Sequence, residues 1–413
     1  MITKTRLAPP VLAMLAASLA AGAVLATGPG SAALAQPGAP VPLQAFVVNA
    51  GSDTVTPVNL TTGKADPAIS VGKSPGAIAA LPDGKTVYVV NRNSATVTPI
   101  DVATDTAEAA IKVGNQPDAI AITPNGKTAY VAENAAVNSL YPGVVVPVNT
   151  TTGKAGKPID VGDGAVQLAL TPDGKTLLVL DNPFLIGPFL LKAISTATNK
   201  VVGSVTLPGN SDSVTIAPGG KVAYVAGAGP SVQINGHAQS TGVITPVTIA
   251  TMTEGNPITL GHDVFGGSLS PTAVLFSSNG KWAYVVYPGV NGLDRVNLVT
   301  RRDTGAKIRL TPYPDSGVMS ADGKLVYAYG QGNVNVVNPA TGTKTVVSLS
   351  NWGSAAAPSP FARDITLSPS GKTVYALVFG KTDGALVPVS VPGNTRGHPI
   401  GVGVEPIEMV IVP

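Results

Sequence analysis

Cysteine is absent from all 413 residues, which excludes a disulfide framework, a thiolate nucleophile and every Cys-based metal site. Charge is scarce as well. Charged residues make up 12% of the chain, about half the usual share. The 26 Lys and Arg nearly balance 23 Asp and Glu, and the resulting net charge of +3 is unclustered, so a nucleic-acid footprint is missing. Histidine occurs only at His237, His262 and His398. No H-E-x-x-H or EF-hand spacing accompanies them. Gly227-Ala228-Gly229 resembles a phosphate loop, yet no helix follows it to supply a positive end. Aromatics are held to 5%, and after the first few dozen residues no apolar run is long enough to span a bilayer.

The start of the chain differs from the rest. Lys4 and Arg6 precede an apolar run from Val11 to Ala26, and Ala33-Leu34-Ala35 offers a small-x-small cleavage site. Residues 1–35 therefore read as a secretory signal peptide, with an uncleaved anchor as the alternative. Residues 36–44 read as a Pro/Gly-rich leader and 45–413 as the folded domain, secreted or attached to the cell surface. An exported domain without cysteine must be held by core burial and strand pairing alone.

Within that domain a turn recurs seven times. Its Gly-Lys pairs are Gly84-Lys85, Gly126-Lys127, Gly174-Lys175, Gly220-Lys221, Gly280-Lys281, Gly323-Lys324 and Gly371-Lys372, spaced by 42, 48, 46, 60, 43 and 48 residues. An apolar strand follows each turn and another precedes it. A period in the forties with strand-turn-strand content is that of a β-propeller, whose blades bury their faces only against each other.

Tyr88-Val-Val-Asn91, Ile120 to Lys127, Val97-Thr-Pro-Ile-Asp101 and the Val-Gly-x-x-Pro at 113–117 resemble the YVTN family of β-propeller repeats. The resemblance covers residues 45–413, is clearest in the first three repeats and weakens over 181–272 and after 290. It implies a YncE-like or surface-layer-type secreted propeller, with the strand before the Gly-Lys turn innermost. The family shares no catalytic residue set, so no catalytic residue is implied.

Phase then sets the number of blades. Inner strands are expected to begin near Ala77, Ala119, Gln167, Ser213, Ala273, Ser316 and Asp364, and Glu408 to Pro413 supplies an eighth that has no blade of its own. The chain opens at Ala45 to Asn49 with a second-strand sequence. The expectation is all-β: eight four-stranded blades, three strands of the first from the N-terminus and one from the C-terminus. Seven blades is the alternative. Pro57, Pro99, Pro147, Pro246 and Pro388 share one place in the third strand, so the fourth strand should be short and broken at that level.

Meander connectivity places every long insertion on one face: 135–143, 182–188, 227–241, 262–271 and 351–362. Loop variation on a rigid scaffold marks a binding surface. These segments carry Tyr141, Phe184, Phe189, His237, His262, Phe265, Trp352 and Phe361 as candidate ligand contacts. Aromatics there either stack on a sugar or peptide or cover the channel mouth. Asp118, Asp212, Asp315, Arg363, Asp364 and Glu408 align at that mouth. The carboxylates are either oxygen ligands for a cation such as Ca²⁺ or solvated acceptors of backbone N–H groups. The leading expectation is a secreted non-enzymatic propeller that binds an extracellular or cell-envelope glycan or protein. The alternatives are a polysaccharide lyase, hydrolase or lactonase-like enzyme at the mouth, and a structural surface-layer component.

Overall fold

The computed structural model describes residues 43–133, 143–162, 164–181, 188–234, 237–260, 271–287, 291–311, 314–349, 361–380, 383–391 and 393–412. Among them every regular element is a β-strand, and no helix is long and apolar enough to cross a membrane. The strands form eight antiparallel four-stranded sheets, seven of them meanders of strands successive in the chain. Their inner strands contact one another in sequence around a complete ring. The protein is an eight-bladed β-propeller.

Blade 1 is built from both ends of the chain. Its inner strand, Pro406–Val412, pairs antiparallel with Gln44–Asn49, from Gln44 opposite Val412 to Val48 opposite Glu408. Thr54–Asn59 follows outward. Blades 2 to 8 begin at Pro75, Pro117, Ala165, Asn210, Ala273, Ser316 and Phe361.

The second strand of each blade is apolar through its middle because both of its sides are covered. Side chains alternate across a strand, so Phe46 and Val48 pack toward blade 2 while Ala45 and Val47 pack toward blade 8. The same alternation gives one cluster of buried apolar residues in each of the eight seams between blades. The core is thus a ring of separate seams, and a long chain needs no single large interior.

The repeated turn has two physical requirements. All seven of its glycines have positive φ, between 64° and 70°, which a side chain would strain. At Gly174 a Cβ would also come within 2.7 Å of Pro124 in the preceding blade, so the turns abut around the ring. The Asp or Asn two places before Lys closes the turn: Asp83 Oδ1 accepts the Lys85 N–H at 3.0 Å, and Asn125 does the same for Lys127.

Proline writes the outer edge. In blades 1, 2, 3, 5 and 8, those with proline in the third strand, the outer strand is split into two short pieces. In blades 4, 6 and 7, where Ala193, Arg295 and Val336 hold that place, the outer strand runs through as Lys200–Thr206, Arg302–Arg309 and Thr343–Ser348. The proline carbonyl still accepts a bond, as from Glu108 N to Pro99 O at 2.8 Å. Only the donor is missing, and the neighbouring strand breaks where that donor should be.

Two expectations need correction. The inner strands begin two to three residues earlier than the spacing suggested in six blades, because each carries a bulge near its start. Residues 227–241 are mostly not a loop: Val222–Ile234 and His237–Thr248 pair up to Ile234 opposite His237, making an extended hairpin.

Candidate functional site

The two faces of the ring differ in how their connections vary. On the Gly-Lys face every inner turn has five or six residues, and every hairpin between third and fourth strands has four. On the opposite face the connections range from two to thirteen residues. The long ones follow the second strands of blades 3 and 4 and enter the inner strands of blades 6 and 8, and blade 5 projects its hairpin there. Tyr141, Phe184, His262, Phe265 and Trp352 lie outside the described residues. Phe189 is half-buried against the apolar seam between blades 4 and 5. Phe361 opens the inner strand of blade 8, opposite Phe379, instead of belonging to a loop.

Around the mouth, the aligned residues Gly76, Asp118, Val166, Asp212, Arg363 and Ile407 are the extra residues of the six bulges. A bulge bends its strand and re-aims the inserted side chain, so one backbone device is repeated around the rim. Asp118 lies 3.6 Å from Arg92 of blade 2. Asp212 is exposed on blade 5. The Arg363 guanidinium stacks on Phe379, 4.7 Å from the ring centroid.

In blades 4, 8 and 1 the position after the bulge joins neighbouring blades. Gln167 Oε1 accepts the Val214 N–H at 2.6 Å, Asp364 Oδ2 accepts the Met409 N–H at 3.0 Å, and Glu408 Oε2 accepts the Ile78 N–H at 3.3 Å. In each case a side chain of one inner strand satisfies a backbone donor of the next. An inner strand has a ladder partner on only one side, so this meets the need that an edge creates.

Four of the six predicted mouth residues act on one buried phenol, Tyr329 of blade 7. Burial pushes its hydroxyl well above the usual range, and Asp364, Asp315 and Glu408 push the same way against Arg363. The Tyr329 hydroxyl donates to the Arg363 carbonyl at 2.8 Å. Asp364 is raised to about 6 by burial, against the N–H bonds from Met409 and Ile365. Glu408 is raised well above its ordinary value, first by burial and then by Asp364. The seam of blades 7, 8 and 1 therefore holds a pair of half-buried carboxyl groups, both of which bind a proton more tightly than an ordinary carboxylate. Among the described residues, no group of three or more acidic or imidazole side chains converges to hold a metal ion.

A second acid was not anticipated. The second strands of blades 1 and 2 end in Asn49 and Asn91, the asparagine of the repeat motif. Asn91 Nδ2 donates to Thr98 Oγ1 at 2.8 Å and to Thr96 Oγ1 at 3.1 Å, and its Oδ1 accepts the Gly72 N–H at 3.1 Å. Blade 4 has Asp181 here, paired with Lys192 at 3.2 Å. Blade 3 has buried Glu133, with Val146 where Thr98 stands in blade 2. Glu133 is raised to about 7 by burial, offset in part by a backbone N–H from Asn115. An acid at a repeated asparagine position was the available signal. Asn91→Ala is expected to lower stability by about 1–3 kcal/mol in urea unfolding, since it leaves the half-buried Gly72 N–H and the buried Thr98 hydroxyl without their partner.

A cleft of about 310 Å³ opens on the Gly-Lys face between blades 2 and 3, lined by residues that include Pro82, Pro124 and Asn125. Two of its polar groups serve the turn itself: Asn125 Oδ1 accepts from Lys127 N, and Thr150 Oγ1 donates to the Gly126 carbonyl.

No protein-family model matches the chain, and no curated protein matches it in sequence. Solved structures do. Hydrazine synthase of Kuenenia stuttgartiensis is 24% identical, with a TM-score of 0.56 over 74% of this chain and 92% of that one. The dihydro-heme d1 dehydrogenase NirN, solved in complex with DHE, is 15% identical, with a TM-score of 0.68 over 94% and 78%. A functionally unknown protein from Desulfotomaculum acetoxidans is 14% identical, with a TM-score of 0.53 over 89% and 98%. At these identities the likeness is one of fold, and the fold shared is the propeller.

Proposed function

We propose that the protein is a secreted propeller of the YVTN-repeat kind that binds an extracellular or cell-envelope ligand, glycan or protein, on its variable face. The observation that carries this reading is the contrast between faces: turns of four to six residues on one, connections of two to thirteen on the other. Drift alone would lengthen turns on both. The test is a glycan and secreted-protein array probed with the full chain and two variants. One replaces residues 229–241 by a short turn, and the other shortens 351–360. Loss of binding in either variant, with an unchanged melting curve, is the expected result. Binding that survives both removals assigns the ligand elsewhere.

A lyase, hydrolase or lactonase-like activity at the mouth draws on the Asp364–Glu408 pair, since a carboxyl that keeps its proton near pH 6 is suited to general-acid work. Against it, the pair's oxygens already accept backbone N–H bonds. Two of the solved structures are named for enzymes, hydrazine synthase and a dihydro-heme d1 dehydrogenase, but at 24% and 15% identity they transfer no chemistry. Binding without turnover fits the pair better.

A further inference from the structure

We propose that the rim formed by blades 6, 7 and 8, centred on the outer strand Thr343–Ser348, docks an extended acidic polypeptide segment as a fifth strand of blade 7. The variable face plays no part in this.

The eight outer edges are unequal. Five are cut in two beside a proline, so they offer no continuous ladder. In blade 4 the pairing of third and fourth strands slips between Ala193 and Ile194, and in blade 6 between Asp294 and Val296. Bulges of that kind turn an edge away from an incoming strand. Blade 7 has neither protection. Thr343 to Ser348 pair with Asn338 to Asn333 residue for residue, with no shift.

The ladder's phase decides which peptides face out. Leu349 N donates to Gly332 O at 2.8 Å, so that pair is hydrogen-bonded and alternate pairs are not. Counting back along the strand, Lys344 and Val346 turn their N–H and C=O away from the blade. Val346 is also 41% exposed. A straight, in-register edge with outward peptide groups is what strand addition uses.

Charge selects the partner. Arg302, Lys307, Arg309, Lys344 and Arg396 are exposed on the outer strands of these three blades, against a half-buried Asp303. That is five cations to one anion, in a chain whose whole balance is 26 to 23. Lys344 Nζ bonds the Arg309 carbonyl at 2.7 Å, which holds its charge across blades 6 and 7. A second copy would set these cations against themselves. An acidic strand complements this excess of positive charge and covers Val346.

The test uses fluorescein-labelled hexapeptides of alternating Glu and Val, with alternating Lys and Val as the control, titrated against the full chain at low and high salt. Val346→Pro removes an outward donor while leaving the blade's own ladder intact. Lys344→Glu reverses the local charge. The expected result is saturable, salt-weakened binding of the acidic peptide alone, with about a tenfold or greater loss of affinity in each variant. Equal binding of both peptides overturns the proposal, and so does wild-type affinity in Lys344→Glu. Should Val346→Pro lower the melting temperature, Lys344→Glu decides by itself. Sedimentation showing a dimer that Val346→Pro splits would assign the edge to a second copy and likewise overturn it.

Discussion

Deleting residues 406–413 is expected to abolish the cooperative unfolding transition of the propeller. The lost segment is the inner strand of blade 1, and Met409, Ile411 and Val412 are all buried in it. Burying each such side chain is worth about 1.5–3 kcal/mol, so the three together approach the whole stability of an ordinary domain, about 5–15 kcal/mol. The deletion also bares Ala45 to Val48, which are 0% exposed in the intact ring, as an open edge. Asp364 loses the Met409 N–H at the same time. Circular dichroism melts and gel filtration check the outcome. A synthetic peptide of residues 406–412 added to the truncated chain should restore the transition, because the strand is held by ladder and packing with no covalent partner beyond its own connection. An unchanged melt in the truncated chain would mean that the circle does not depend on its fastening.

Stability is expected to fall as the pH rises from 5 to 8, the reverse of a protein held by ionised carboxylates. Asp364 is raised to about 6 and Glu133 to about 7, in both cases chiefly by burial, and Glu408 is raised further by the neighbouring Asp364. The folded chain therefore binds protons that the unfolded chain has released, and stability declines wherever that difference exists. For Asp364 the decline runs from about its ordinary value of 3.8 to about 6, and for Glu133 from about 4.5 to about 7. A shift of two or more units corresponds to roughly 3 kcal/mol for each group. Asp53, Asp173 and Asp322 are lowered by their hydrogen bonds, so their contribution disappears only in acid below that window. Glu133→Gln and Glu408→Gln keep a carbonyl oxygen for the Asn115 and Ile78 donors while removing the charge. Each is expected to raise the melting temperature at pH 8 and change it little at pH 5. Asp364→Asn is the poorer choice, because both oxygens of Asp364 accept an N–H. A wild-type protein more stable at pH 8 than at pH 5 would show that these acids are solvated through the channel.

Much of the architecture could be read along the chain because it rests on local chemistry that repeats. The Gly-Lys turn requires positive φ at every copy, and Phe46 to Asn49 requires an inner strand that only residues 406–412 were left to supply. Proline removes a donor wherever it stands, so the broken outer edges of five blades followed from Pro57, Pro99, Pro147, Pro246 and Pro388. The bulges were not legible, since Gly76, Asp118, Val166, Asp212, Arg363 and Ile407 share no side-chain chemistry. What they share is a backbone register.

Periodicity, turn chemistry and proline spacing point to this protein's ring and to its closure by the last strand, because each rests on a repeated local pattern; the pairing of the strands set the count at eight and not seven. Proximity across blades settled the rest. Tyr329 meets Asp364 and Glu408 only because blades 7, 8 and 1 converge on the channel, and Glu133 is raised because the fold takes it out of water. Desolvation and charge coupling depend on distance through space, and that distance exists only once the circle has closed.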